Sequence, residues 1–250
     1  MRAFFALVRR ELSSFFFSWT GYVVIAAVLF LLGFSLNSML GALNAEPTPM
    51  PIMQLFYNTS YFWHIIIIAS PVITMRSFAL EKSTGTYETL MTTPVSEVRV
   101  VLAKFCGALF FFMVMWLPLL GCLVIIRHYT SDPTAFDWGG VGSTYFGIFL
   151  VGSLYLSMGI CASALTKSQI IAAILTLAVG FSFLVVSYLR AAFTTDTGWV
   201  PGIVSYTSMV EHMHDFAQGV VDTRPLVFYI SSTAFFIFLT LKLVESRRWK

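Results

Sequence analysis

MRSFALEKSTGTYETLMTTPVSEVRVVLAKF, Met75–Phe105, is the densest polar stretch of the chain, and it lies between two long apolar runs. A polar island held between membrane spans is where a partner outside the bilayer can grip. Its interior predicts a short helix: Gly85 opens the segment from Thr86 to Thr92, and Pro94 closes it, because proline lacks the amide proton and disfavours helix in the residue before it. On that helix Tyr87, Leu90 and Met91 fall at i, i+3 and i+4 and make one apolar face, while Glu88, Thr89 and Thr92 turn elsewhere.

Composition says what surrounds the island. With 58% hydrophobic and 11% charged residues in 250, the chain is too apolar for a water-soluble domain. A helix needs about 20 apolar residues to cross the hydrocarbon core. Six runs meet that need, and the spacing predicts spans over about 20–43, 54–75, 105–126, 143–165, 168–189 and 225–242. The expected fold is all-α, a single polytopic transmembrane domain over 1–250. The first run is too long and too late in the chain for a cleaved signal peptide.

Lysine and arginine set the expected orientation. With both termini inside, twelve of the fifteen basic residues lie on inner segments, and only Arg127, Arg190 and Arg224 face out. The coupling segment 76–104 and the turn at Lys167 are then cytoplasmic. The net charge of +3 is a topology signal and gives no reason to expect nucleic acid as a partner. Residues 1–18 predict an amphipathic helix in the inner interface, with Phe4, Phe5, Val8, Leu12, Phe15 and Phe16 on one side and Arg2, Arg9, Arg10 and Ser13 on the other. The plainer alternative is a basic flank that anchors the first span. The outer loop 190–224 carries a second amphipathic stretch, with Pro201 near its start and Gly219 near its end, expected to dip into the outer interface.

Other motifs carry little. Glu211, His212, His214 and Asp215 could ligate a metal, but on a helix the two imidazoles point about 200° apart, so a solvated face is expected and no metal site. Cys106, Cys122 and Cys161 sit singly in apolar runs and read as small packing residues. The serine-nucleophile resemblance at Gly33–Leu36 lacks its last glycine. His64 is the one ionisable side chain within a span, beside Trp63 and near enough to the outer end to reach the interface. No GxxxxGK[ST] loop is present, and no set of acids, histidines and nucleophiles suggests catalysis, so the chain is not expected to be an enzyme.

Three stretches carry a family resemblance that covers nearly the whole chain: ELSSFFFSWTGYVV at Glu11–Val24, RSFALEKSTGTYETLMTTPVSEVRVVLAKF at Arg76–Phe105, and FAQGVVDTRPLVFY at Phe216–Tyr229. In the middle stretch Glu81, Gly85, Thr86, Glu88, Leu90, Thr93, Pro94 and Lys104 match the family's pattern. The chain resembles the permease subunit of an ABC-2 type transporter, and its last motif resembles the gliding-motility-associated branch. That branch usually has proline after the serine of the first motif, where this chain has Trp19 after Ser18.

The resemblance implies a half-transporter in the bacterial inner membrane, an exporter, that pairs with a second permease subunit in a homo- or heterodimer. It implies a separate cytoplasmic ABC ATPase that holds ATP and magnesium, membrane lipids around the spans, and in some systems an auxiliary extracytoplasmic subunit. No cofactor is expected on this chain. Glu81, Gly85, Thr86, Tyr87, Glu88, Leu90, Met91 and Pro94 would form the ATPase-coupling helix, with Tyr87, Leu90 and Met91 in a groove on the partner and Glu81 and Glu88 offered to its basic residues. Arg2, Arg9, Arg10 and Glu11 would belong to the interfacial helix. Two readings from other classes remain open at this point: a membrane scaffold or assembly factor, and an ion-coupled carrier, the latter disfavoured by the lack of acids within the spans.

Overall fold

The computed structural model describes residues 2–45, 52–87, 96–129, 137–189 and 199–246, and among them every regular element is a helix. In chain order these are α1 (Arg2–Phe16), α2 (Trp19–Ala45), α3 (Ile52–Asn58), α4 (Ser60–Thr74), α5 (Ala79–Thr84), α6 (Glu97–Tyr129), α7 (Trp138–Leu165), α8 (Gln169–Leu189), α9 (Trp199–Thr207), α10 (Met209–Ala217) and α11 (Thr223–Ser246). Six stretches are long and apolar enough to cross a membrane: Trp19–Ala42, Ser60–Thr84, Glu97–His128, Trp138–Leu165, Gln169–Leu189 and Thr223–Ser246. Their length and composition make the chain an integral membrane protein.

The six are not equivalent. In the most apolar window of α7, 89% of residues are buried, against 28% in those of α2, α8 and α11. Small side chains explain how one helix can be surrounded: Gly147, Gly152, Ser153, Ser157, Gly159, Ser163 and Ala164 are all buried, and they let neighbouring backbones approach. A Cβ on Gly159 would collide with Thr74 of α4, and one on Gly152 with the Phe112 ring of α6. The outlying helices keep large apolar side chains exposed, among them Phe30, Ile174, Phe181 and Phe235. Such surfaces suit lipid, which is as apolar as leucine.

The second span departs from the continuous run expected over 54–75. It breaks at Thr59, whose backbone is extended (φ −66°, ψ 135°). The Thr59 hydroxyl donates to Phe56 O at 2.6 Å and so competes with the helix ladder. The remaining helix, α4, has 15 residues and is about 22 Å long, too short for a hydrocarbon core of about 30 Å. It reaches spanning length only by continuing through the turn at 75–78 into α5. The polar island therefore begins as the tail of a membrane span.

At the opposite end of the bundle lie two short consecutive helices, α9 and α10, from the segment 190–224. Met209, Met213, Phe216 and Ala217 of α10 are buried, so this stretch does not rest on the surface as its amphipathic pattern suggested. It packs against α7 at Gly147, where a Cβ would lie 2.7 Å from the Phe216 ring and 2.9 Å from Met213 Sδ. Both joints are capped. Ser208 accepts from Glu211 N at the start of α10, and Asp137 accepts from Gly139 N and Gly140 N at 2.8 and 2.9 Å at the start of α7.

Candidate functional site

The island is fastened before it leaves the bundle. After α4 the chain turns, and the backbone N–H groups of Phe78 and Ala79 both donate to Ser163 Oγ at 3.0 Å. Ser163 Oγ in turn donates to Met75 O at 3.1 Å, so one hydroxyl satisfies three main-chain groups. One turn later Lys82 Nζ donates to Ala164 O, in the last turn of α7, where carbonyls have no partner within their own helix and the dipole favours a cation. Lys82 is buried, and its ammonium lies 5.3 Å from the Tyr87 ring centroid.

Gly85 was expected to open the coupling helix. It closes an earlier one: its φ of 75° is the left-handed conformation that ends α5, one that glycine adopts without steric cost. Helix resumes at Thr86, and the Thr84 and Thr86 hydroxyls meet at 2.9 Å across the glycine. Tyr87, read as part of the face offered to a partner, packs on Phe78 of its own chain with ring centroids 6.4 Å apart. Glu88, Leu90, Met91 and Pro94, on which the rest of that face depends, lie outside the described residues.

A four-residue ionic cluster joins the island to the N-terminal helix. Lys104, in the second turn of α6, places Nζ 2.8 Å from Glu81 Oε1 and 3.1 Å from Glu11 Oε1. Arg10 Nη2 bridges the same two oxygens at 3.0 and 3.2 Å. Glu81, expected to serve a partner's basic residues, thus has Oε1 engaged by Lys104 and Arg10 of its own chain. The Lys104 side chain is 2% exposed and that of Arg10 is 51% exposed, so the two cations are not equal in weight. Removing one member of a buried pair strands the other charge, whereas an exposed pair contributes about 1 kcal/mol or less.

Close approach of two helices makes the cluster possible. At Gly107 of α6 a Cβ would stand 2.9 Å from the Glu11 Cβ, so glycine there lets α1 lie against α6. Phe15 stacks on Phe111 with centroids 4.9 Å apart and Phe16 meets the same ring edge-on, closing the apolar half of the contact. Of the other residues assigned to this helix, Arg9 is exposed, and the Arg2 side chain lies outside the described set. Glu81 and Lys104 were visible as parts of one motif; that Glu11, 93 residues before Lys104, completes their cluster was not.

The remaining candidates separate. The His64 ring faces Ser60 O within its own helix. Cys106, Cys122 and Cys161 are free thiols, the last buried. His212 and His214 diverge as the helical geometry requires, but His212 is not on a solvated face: it is buried, with Nδ1 3.3 Å from Tyr229 Oη and its ring against Phe228. Burial pulls its pKa down to about 4, against a smaller opposing pull from Glu211 and Asp222. Among the described residues no group of histidines, cysteines and acids could hold a metal ion.

A search of curated proteins finds no match. A family model described as ABC-2 family transporter protein matches residues 43–242. The match takes in α3 to α10 and most of α11, and with them Ser163, Glu81 and Lys104; α1, with Arg10 and Glu11, precedes it.

Proposed function

The chain belongs to the ABC-2 family of transporter proteins, and from that premise we propose that it is the membrane half of an exporter whose energy comes from a separate ATPase docked on the segment beyond Gly85. The chain is a membrane permease subunit and not itself catalytic. The observation that supports the coupling role is the fastening of α5. Ser163 and Lys82 tie it to the end of α7, and the Glu81–Lys104–Glu11 cluster ties it to α6 and α1.

A push on residues 86–92 would reach the bundle through these ties. Because α7 touches α4, α6, α8, α10 and α11, displacement of its end spreads to most of the spans. Closure of an ATPase dimer beneath two such chains would supply the push, with ATP and magnesium held by the partner. On this reading both termini and the island face the cytoplasm of a bacterial inner membrane, in accord with the distribution of lysine and arginine. The motif at Phe216–Tyr229, which joins α10 to α11, supports the gliding-motility-associated branch.

Affinity purification of the tagged full-length chain in mild detergent tests the reading. The wild type should bring down an ATPase with a phosphate-binding loop, and the chain alone should hydrolyse no ATP. Leu90→Asp would place an unpaired carboxylate in the docking contact and should abolish co-purification, while Glu88→Ala should weaken it far less. Retention of the ATPase by Leu90→Asp at wild-type levels would exclude the segment as the docking element.

A further inference from the structure

We infer that a phospholipid headgroup binds in the cavity between α1, α2, α4 and α6, held through its phosphodiester and through a hydrogen-bond donor on its alcohol. The cavity encloses about 380 Å³ and has two unlike walls. Phe15, Val24, Val72, Ile73 and Phe111 make one of them apolar; the other carries Arg10, Arg76 and Lys104 against Glu11 and Glu81. An amphiphile fits such a space, and the cations exceed the carboxylates by one, which favours an anionic group.

Two unfinished hydrogen-bonding groups narrow the chemistry. Half-buried Arg76 donates through Nη1 to Thr20 Oγ1 at 2.8 Å, and its other N–H groups meet no acceptor among the described residues. A guanidinium so placed suits a phosphate oxygen. Glu81 Oε2 is buried and meets no donor among the described residues, although Oε1 of the same carboxylate has two. A buried carboxylate oxygen needs a donor, and a phosphodiester group, which has only acceptor oxygens, cannot supply one. The occupant must therefore present an acceptor to Arg76 and an N–H or O–H to Glu81.

Position identifies the source. Thr20 and Gly21, which line the cavity, belong to the first turn of the span that begins at Trp19, and Ile73 and Arg76 flank the end of α4. Phe17 and Trp19, each 88% exposed, stand beside it. Aromatic side chains at a span's end mark the headgroup level of a bilayer, so the molecule at hand is a phospholipid. Ethanolamine and glycerol headgroups both carry the required donor. Choline carries none.

The test uses the full-length chain purified in mild detergent, with added phosphatidylethanolamine, phosphatidylglycerol or phosphatidylcholine, read by native mass spectrometry and by thermal unfolding. One molecule of the ethanolamine or the glycerol lipid, or of both, should be retained per chain at least tenfold more tightly than the choline lipid, and should raise the melting temperature. Arg76→Ala leaves the Glu11–Glu81–Lys104 cluster intact and should lose that retention; Val72→Phe, which fills the apolar wall, should lose it too. Equal retention of phosphatidylcholine, or unchanged retention by both variants, would overturn the proposal. Stabilisation by phosphoethanolamine or glycerol 3-phosphate as large as by the whole lipid would overturn the assignment to a membrane lipid.

Discussion

The two ends of the bundle are held by different chemistry. At the island end, beside the Phe15 and Phe16 contacts with Phe111, the elements meet through charges and single hydroxyls: Lys104 between two carboxylates, Lys82 on the end of α7, and Ser163 under the turn at 75–78. At the opposite end α10 is pressed into α7 by Met213 and Phe216 over Gly147, and His212, the buried titratable side chain of α10, makes no ion pair among the described residues. Apolar packing is tolerant of small displacements in register only at the cost of voids or clashes. A network of ionic contacts depends on a few atoms at fixed distances and fails in a graded, salt-sensitive way. The island end is thus specified by few residues and the opposite end by many.

The largest expected effect comes from removing the hub of the ionic end. Lys104→Met should leave Glu11 and Glu81 facing each other with only the exposed Arg10 between them, and should lower stability by about 3–5 kcal/mol. Thermal unfolding in detergent measures the loss, and hydrogen exchange should show α1 released from α6 while α10 stays protected. Uniform loss of protection at both ends would erase the contrast.

At the apolar end the lever is pH. The unfolded His212 takes up a proton near pH 6.5 and the folded one only near 4, so the stability gained from keeping it neutral is complete above pH 6.5, falls as pH drops through that window, and levels off below 4. The loss at pH 5 is about 2 kcal/mol. It should be absent in His212→Gln and should loosen α10 before α5.

Ser163→Ala comes next. It strips the buried N–H groups of Phe78 and Ala79 of their acceptor and should cost about 1–3 kcal/mol, with faster exchange of those two amides. The smallest effect belongs to Arg10→Ala. That side chain is 51% exposed, and its loss should change stability by less than about 1 kcal/mol, less still in high salt. A loss from Arg10→Ala as large as that from Lys104→Met would mean that burial does not rank the cluster.

The six spans were legible from apolar run length alone, because a bilayer forces any crossing segment to be long and largely uncharged. What the runs could not give is which neighbour each helix meets. Within Ile52–Met75 the break is marked only by the polar triplet Asn58, Thr59 and Ser60, with no glycine or charge, and the apolar residues on both sides read as one span. The apolar spacing of Met209, Met213 and Phe216 was plain, but lipid and protein interior are equally apolar, and burial inside the bundle could not be told from burial in the interface. The same holds for His212, whose surroundings come from α11 as well as from its own helix. Glu81 and Lys104 stood out by motif, yet the third member, Glu11, joins them only when α1 folds back along α6.

That fold-back separates chain order from mechanical order. Arg2–Phe16 is clamped to α6 by an ion pair to the buried Lys104, a glycine-level contact, and one stacked and one edge-on aromatic pair, while α2, the next element in the chain, is among the least buried helices of the bundle. A probe fixed to the first helix would report the movements of α6 rather than those of the span directly attached to it. The two-residue joint at Phe17 and Ser18 ties the two helices closely, since Phe17 N donates to Ser13 O and Gly21 N to Ser18 O, each at 3.0 Å.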